Sequence, residues 1–408
     1  MAIHKIWLTL PDGADVFVGE LAFGLLKPDG TCPSSFRYTD EWLRTGFPID
    51  PESLPLRRGE FQSSHLAPPL AVLDDALPDD WGRHLIDLKN RLPISQRTPE
   101  RYILETGRHA LGAIGFGMPV RDIDSADDVT LAELMAAAHD VERNIDGGNL
   151  AALRRLFATG TSPGGARPKV LLTAYGKRWI AKFPSVNRDG ALDVPALEYV
   201  AMRLAEAAGL KPPPVKLEKM GGKNVLLIER FDCTEHGRIH QLSLKTLCKE
   251  GAGQYVQSYD DLFAVVVRHS ARPKEDAERL FRQMVFNAAI GNTDDHLKNF
   301  MMQGMPAGYR LSPPFDLVPD IARNIEHTLA MGNSRIASVQ GITRVANRWL
   351  PGGEMTAIVG DVVAAVGRFE QSITPHITDH LAHRRILDDI ANRCLVLSGA
   401  ANRPNADA

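Results

Sequence analysis

The pattern of apolar and polar positions changes character twice along the chain. Short alternating stretches come first: Ile3 to Leu10, Val16 to Leu21 and Ser35 to Tyr38 read as strands, separated by turns such as Pro11-Asp12-Gly13 and Pro28-Asp29-Gly30. Behind Leu77-Pro78-Asp79-Asp80-Trp81-Gly82-Arg83 the pattern becomes helical, and Asp79 or Asp80 is expected to cap the free first-turn amides. Leu131, Leu134, Met135 and Ala138 share a helical face within a segment from about 130 to 157. Lys169 to Ala174 and Arg178 to Phe183 read as a hairpin across Tyr175-Gly176-Lys177. A helix over Leu197 to Ala208 carries its stripe on Leu197, Val200, Ala201, Leu204 and Ala208 and stops at Gly209; Lys223 to Ile228 is a further strand. From about 232 onward the chain reads as mainly helical, and its strongest face, Ala277, Leu280, Phe281, Met284, Val285, Ala288 and Ala289, runs up to Gly291.

A chain of 408 residues exceeds one ordinary core, so two or three packed units are expected. The pattern divides it into a small β-rich subdomain over 1–105, a region over 106–231 that contains a glycine-rich stretch, a helical part over 232–400, and a small polar tail over 401–408 that is expected to be disordered. The formal net charge of −3 makes no electrostatic case for direct nucleic-acid binding. Cys32, Cys233, Cys248 and Cys394 are widely spaced, with no Cys-x-x-Cys pair, which argues against a zinc site and a disulfide framework. No apolar run is long enough for a signal peptide or a bilayer span, so the chain is read as cytoplasmic with no membrane partner.

The chemistry concentrates in Asn292-Thr293-Asp294-Asp295-His296-Leu297-Lys298-Asn299. This polar run follows an apolar helix and precedes a strand from Phe300, a turn through Gly304 to Gly308, a return strand at Tyr309 to Ser312, and then Pro314-Phe315-Asp316. Kinase sites use that order: an Asp at the acceptor hydroxyl, an Asn further along the loop, and a second Asp, the last two holding magnesium on the phosphates of ATP. Asp294, Asn299 and Asp316 fill those places, and their oxygens are hard ligands of the kind magnesium prefers. An isolated Asp-x-x-x-x-Asn is more often a polar loop with a capping Asp; the ordered set carries the reading.

Three other features join it. The stretch Gly160 to Lys169 can aim backbone amides at phosphate oxygens, although it is not a Walker A sequence and by itself reads as a surface loop. Lys182 sits in the apolar strand Trp179-Ile180-Ala181-Lys182-Phe183, where a lysine is costly unless paired; Glu198, on the next helix, is its candidate partner. Ile228-Glu229-Arg230-Phe231-Asp232 leaves a strand as a connector that offers backbone groups to adenine, or as a plain charged linker.

Together these pieces resemble the HipA family of bacterial serine/threonine kinases, toxins of HipBA-type toxin–antitoxin modules. The resemblance rests on the run from Thr161 to Lys169, Ile180 to Pro184, Glu229 to Asp232, Gly291 to Asn299 and Leu311 to Leu317. Ahead of these, Gly19-Glu20-Leu21, Ser53-Leu54-Pro55-Leu56 and Leu77 to Arg83 resemble the family's N-terminal domain. It implies an α+β, bilobal protein-kinase-like fold with a small N-terminal β-rich subdomain and a mainly helical C-terminal lobe. It implies Asp294 as the catalytic Asp and Asn299 and Asp316 as magnesium ligands. ATP would be bound by Ser162, Gly164, Gly165, Ala166, Lys169, Lys182, Glu229, Phe231, His296 and Lys298, and Glu198 would pair with Lys182. Ser162 would be the autophosphorylated serine whose modification inactivates the enzyme. The implied partner is a small helix-turn-helix antitoxin of HipB type, with DNA reached only through it, and the implied substrates are proteins, aminoacyl-tRNA synthetases among them. The chain departs from the best-known members at Leu242-Ser243, where they are acidic, and at Asp295, where they carry a small residue. Two other readings compete: a non-catalytic kinase-fold co-repressor or binding module, and a metal-dependent hydrolase built on Asp294, Asp295, His296 and Asp316.

Overall fold

The computed structural model describes residues 3–25, 27, 32–63, 70–106, 110–121, 130–143, 152–153, 156, 167–249, 257–305, 307–350 and 354–401. The chain divides into two compact units. The first comprises Met1–Arg188, Leu227–Tyr255 and Gln303–Gly308, and the second Asp189–Leu226, Val256–Met302 and Tyr309–Ala408.

The first unit opens with an antiparallel sheet. Strands β1 (Ile3–Thr9), β2 (Asp15–Phe23), β3 (Ser34–Tyr38), β4 (Phe61–Gln62) and β5 (Ile114–Phe116) lie in the order β4-β3-β2-β1-β5. Alternate residues of β3 face inward, burying Phe36 and Tyr38, as the two-residue period of a strand requires. The fifth strand matters for the organisation of the chain. Ile6, Trp7 and Leu8 pair with Phe116, Gly115 and Ile114, so the sheet reaches past the boundary expected at residue 105. The expected helix follows as Asp80–Asn90; Asp79 takes the N-cap position but its side chain makes no bond to the first-turn amides, contrary to the sequence reading. The expected hairpin forms as β6 (Lys169–Ala174) and β7 (Lys177–Lys182), with Lys169 opposite Lys182. Tyr175 and Gly176 close it with positive φ angles of 53° and 69°. The helix Leu131–Arg143 packs Leu134, Ala138 and Val141 inward. Its buried Glu142 accepts from Ser185 Oγ at 2.5 Å and Val186 N at 2.8 Å, anchoring the segment after β7.

The second unit is built around the helix Pro273–Ile290, on which Leu280, Phe281, Met284, Val285, Ala288 and Ala289 are fully buried. Each such Leu, Phe, Met or Val contributes about 1.5–3 kcal/mol relative to exposure, so this helix is the fixed reference for the loop at its C-terminal end. The helix Val194–Ala207 starts earlier than its apolar stripe, because Asp193 Oδ1 accepts from Ala196 N at 3.0 Å and Pro195 suits the first turn. It ends before Gly209, whose φ is +82°. The part beyond residue 232 is mainly helical, as expected, with the hairpin expected after Phe300 formed by Met301–Met305 and Gly308–Leu311; short strands that were not expected form at His240–Ser243, Glu326–Met331 and Ser334–Ile336. The last two form a two-stranded sheet that lies beside the site.

Candidate active site

The Pro273–Ile290 helix stops at Gly291, whose φ of +70° is left-handed. A Cβ there would also stand 2.9 Å from Arg393 Nε. The turn delivers the chain into the Asn292–Asn299 loop, where the Asp doublet separates into two environments. Asp294 is 76% exposed at its side chain. Asp295 is fully buried. Its Oδ1 accepts from Thr328 N at 2.8 Å and Leu329 N at 3.4 Å. Its Oδ2 accepts from Tyr259 Oη at 2.7 Å and lies 3.2 Å from His327 Nδ1.

Asp294 has no such set of donors; its nearest ionisable partner is His296, with Nε2 at 3.9 Å from Oδ1. The surrounding loop displaces enough water to push the Asp294 carboxyl above its ordinary range. The His296 ring works against this, and the charges of Asp316, Asp295 and Asp320 add to it. Asn299 closes a short 3₁₀ turn over Leu297–Asn299, and its Nδ2 donates to the Asp294 carbonyl at 2.8 Å. With that nitrogen committed, Asn299 Oδ1 is the end able to ligate a cation.

Asp316 adopts a φ of +55°, unusual for a residue with a side chain. Asn292 Nδ2 donates to its carbonyl at 3.2 Å and to Asn287 Oδ1 at 3.1 Å. Asp320, which the sequence reading did not single out, accepts from Thr293 Oγ1 at 2.9 Å, from the amides of Ala322 and Asn324, and from Asn324 Nδ2. Burial opposes its ionisation, but these donors outweigh that and hold the carboxyl below its ordinary range. Thr328 N and Asp320 N in turn donate to the Thr293 and Gly291 carbonyls, both at 2.9 Å.

The hairpin between the two carboxylate loops is held by the fully buried Asp276. It accepts from Arg310 Nε at 3.0 Å, Leu311 N at 2.9 Å, Ser270 Oγ at 2.6 Å and Arg279 at 3.0 Å.

The donor set suits magnesium that keeps water and substrate oxygens. Asn299 Oδ1 and the Asp316 carboxylate are hard oxygens, and no group of three or more His, Cys, Asp or Glu able to cage a metal occurs among the described residues. Asp295, one of the four residues of the hydrolase reading, is buried with its carboxylate already taken up by Tyr259, His327 and the Thr328 and Leu329 amides, which disfavours that reading.

The other expected residues divide between the two units. Lys169, Lys182, Glu229 and Phe231 belong to the first unit, and Glu198, 4% exposed, to the second with Asp294, His296, Lys298, Asn299 and Asp316. Lys169 is buried, and its carbonyl accepts from Trp81 Nε1 at 3.1 Å. The Glu229 carboxylate is paired with Lys177 Nζ at 2.8 Å, and the Phe231 carbonyl accepts from Gln303 Nε2 at 3.1 Å. Just beyond, Arg230 clasps Asp232 at 3.0 and 2.6 Å, while Asp232 also accepts from Gly112 N at 2.8 Å, so this connector is a rigid buried corner. Ser162, Gly164, Gly165 and Ala166 lie outside the described residues.

Family models match both parts of the chain. The HipA N-terminal domain matches residues 14–117, and the HipA-like C-terminal domain matches residues 161–369. The chain belongs to the HipA family. It is 26% identical over 360 residues to the serine/threonine-protein kinase toxin HipA of Shewanella oneidensis, covering 78% of this chain and 77% of that protein. It is also 26% identical over 235 residues to Y4mE of Sinorhizobium fredii, named as a candidate kinase, covering 52% of this chain and about half (54%) of that one. A solved structure of Shewanella oneidensis HipA with HipB and its operator DNA superposes with a TM-score of 0.67 at 18% identity, covering 98% of this chain and all of that one. The fold is the kinase-like α+β fold expected from the sequence.

Tyr259, His327 and Asp320 are the residues that sequence reading did not place, and Asp295 entered it only as a departure from the family and as a member of the hydrolase set. Asp320 had a weak signal, four residues beyond Asp316 in a Pro- and Asp-rich run; Tyr259 and His327 had none, because their roles arise from distant segments meeting.

Proposed function

We propose that this chain is an ATP-dependent serine/threonine protein kinase that acts as the toxin of a HipBA-type module and is switched off by autophosphorylation of Ser162. The observation that carries the reading is the loop itself. One exposed carboxylate, Asp294, stands on a backbone pinned by Asn299, at the end of a helix whose apolar face is buried and ahead of a hairpin that delivers Asp316. In this reading Asp294 orients the acceptor hydroxyl and takes its proton as the oxygen attacks the γ-phosphorus and ADP leaves. Its raised carboxyl pKa suits that role. Magnesium, held by Asn299 Oδ1 and Asp316, would neutralise charge on the phosphates. Lys169, Lys182, His296 and Lys298 supply positive or donor groups to the nucleotide, Glu198 pairs with Lys182, and the Glu229–Phe231 backbone borders adenine. Ser162, Gly164, Gly165 and Ala166 would bind the phosphates, and a phosphate on Ser162 would add about −1.5 to −2 charge beside them and disfavour that binding. By likeness to the Shewanella complex, the partner is a small HipB-type antitoxin that contacts DNA. The protein acts in the cytoplasm, where aminoacyl-tRNA synthetases are one available substrate class.

The test is transfer of the γ-phosphate of labelled ATP with magnesium. Label is expected on Ser162 in the wild type, and none in Asp294→Asn. A wild-type chain that binds no nucleotide at millimolar magnesium and transfers no label would overturn the reading in favour of a non-catalytic module.

A further inference from the structure

The buried face of the loop carries an assignment of its own, which rests on the kinase reading. Starting from Asp295, polar side chains succeed one another through the core of the second unit. Tyr259 Oη donates to Asp295 Oδ2 at 2.7 Å, and Asn287 Nδ2 donates to Tyr259 Oη at 3.2 Å. Asn292 Nδ2 donates to Asn287 Oδ1 at 3.1 Å and to the Asp316 carbonyl at 3.2 Å. Every side chain in this series is at least 97% buried. At its other end the Asp295 carboxylate gathers the Thr328 and Leu329 amides and His327 Nδ1.

Two physical points make this more than packing. A buried carboxylate is expensive, and one beside an exposed Asp has no role in filling the core. Its environment is also built at a cost. His327, whose Nδ1 lies 3.2 Å from Asp295 Oδ2, keeps a buried Nε2 that has no hydrogen-bond partner among the described residues. The one structural consequence of the arrangement is that two separate backbone segments, at Asp294–Asp295 and at Asp316, are fixed to a single hydrogen-bonded series anchored on the central helix by Asn287.

We propose that Asp295 is a positioning residue, and that the Asp295–Tyr259–Asn287–Asn292 series sets the register of Asp294 against Asp316, governing phosphotransfer rather than nucleotide affinity.

Removing the Asp295 carboxylate outright would strand its donors and could unfold the unit, so the test uses Tyr259→Phe. That change deletes one oxygen from the middle of the series and keeps the ring that meets Phe300 edge-on at 5.8 Å. With ATP and magnesium, kcat is expected to fall about 10- to 100-fold while KM for ATP stays within about twofold. Asn292→Ala, which cuts the link to Asp316, is expected to show the same split. The double variant should be little worse than the poorer single, because both break one series. A folded Tyr259→Phe enzyme with unchanged kcat, or losses that simply add in the double variant, would overturn the assignment and leave the kinase reading intact. A wild type that transfers no phosphate would overturn both.

Discussion

Asn299 Nδ2 donates to the carbonyl of Asp294, five positions earlier in the chain, at 2.8 Å. In the proposed reading one side chain would therefore perform two tasks: its nitrogen sets the backbone under Asp294, and its oxygen would serve a cation. Asn299→Asp keeps an oxygen but cannot donate. We expect about 100-fold loss of autophosphorylation from misplacement of Asp294 and about 1 kcal/mol loss of stability from the missing bond. Rates and urea denaturation of the same preparation check both.

The doublet predicts opposite outcomes for neighbouring residues. Asp294 is exposed, so Asp294→Asn should leave stability within about 0.5 kcal/mol while abolishing phosphotransfer. Asp295 is buried among donors, so Asp295→Ala should cost about 3–5 kcal/mol. Thermal melts of the two variants side by side decide it; equal melting points would contradict the structure.

Asp316 sits at φ +55°. A side chain there carries a backbone cost that glycine avoids, of about 1–2 kcal/mol. Asp316→Gly is therefore expected to be more stable than Asp316→Ala by about 1 kcal/mol, while both lose magnesium-dependent transfer. Denaturation curves in the absence of nucleotide measure the difference.

Two carboxyls, Asp75 and Asp276, should give opposite pH signatures. Burial drives Asp75 up to about 6 despite bonds from Ser243 and Thr246. The unfolded chain releases this proton near the ordinary value of 3.8, so stability should fall as pH rises from about 4 to about 6 and then level off. Asp75→Asn should remove that slope in melts taken across the window.

Asp276 behaves the other way. Burial opposes its ionisation, but bonds from Arg310, Ser270 and the Leu311 amide, with the charge of Arg310, hold the carboxyl below its ordinary range. Its contribution is complete above the unfolded value of 3.8 and is lost as pH falls through the lowered folded value. Asp276→Asn should be destabilised at neutral pH and should lose less on acidification than the wild type.

Much of this was legible in the chain. The apolar face from Ala277 to Ala289 and the stop at Gly291 specify a buried helix ending in a left-handed turn, because both signals are local and periodic. The hairpin after Phe300 could be read from a strand pattern interrupted at Gly304 to Gly308. The hairpin at Glu326–Met331 and Ser334–Ile336 was not legible, since its second strand is only three residues long and exposed throughout, and one of the alternating buried positions of the first is a polar residue, His327. The strand Ile114–Phe116 escaped for a similar reason: only three residues long, it owes its existence to β1, more than a hundred residues away.

The sequence by itself determined the order of chemical groups: an Asp doublet after a helix, an Asn five positions beyond its first member, and a carboxylate beyond a hairpin. Local propensity and spacing suffice for that. Only the tertiary structure decided which member of the Asp294-Asp295 doublet faces water. That choice depends on Tyr259, His327, Thr328 and Leu329 converging from remote segments to solvate one carboxylate in place of water, and no one-dimensional pattern carries the energy of that exchange.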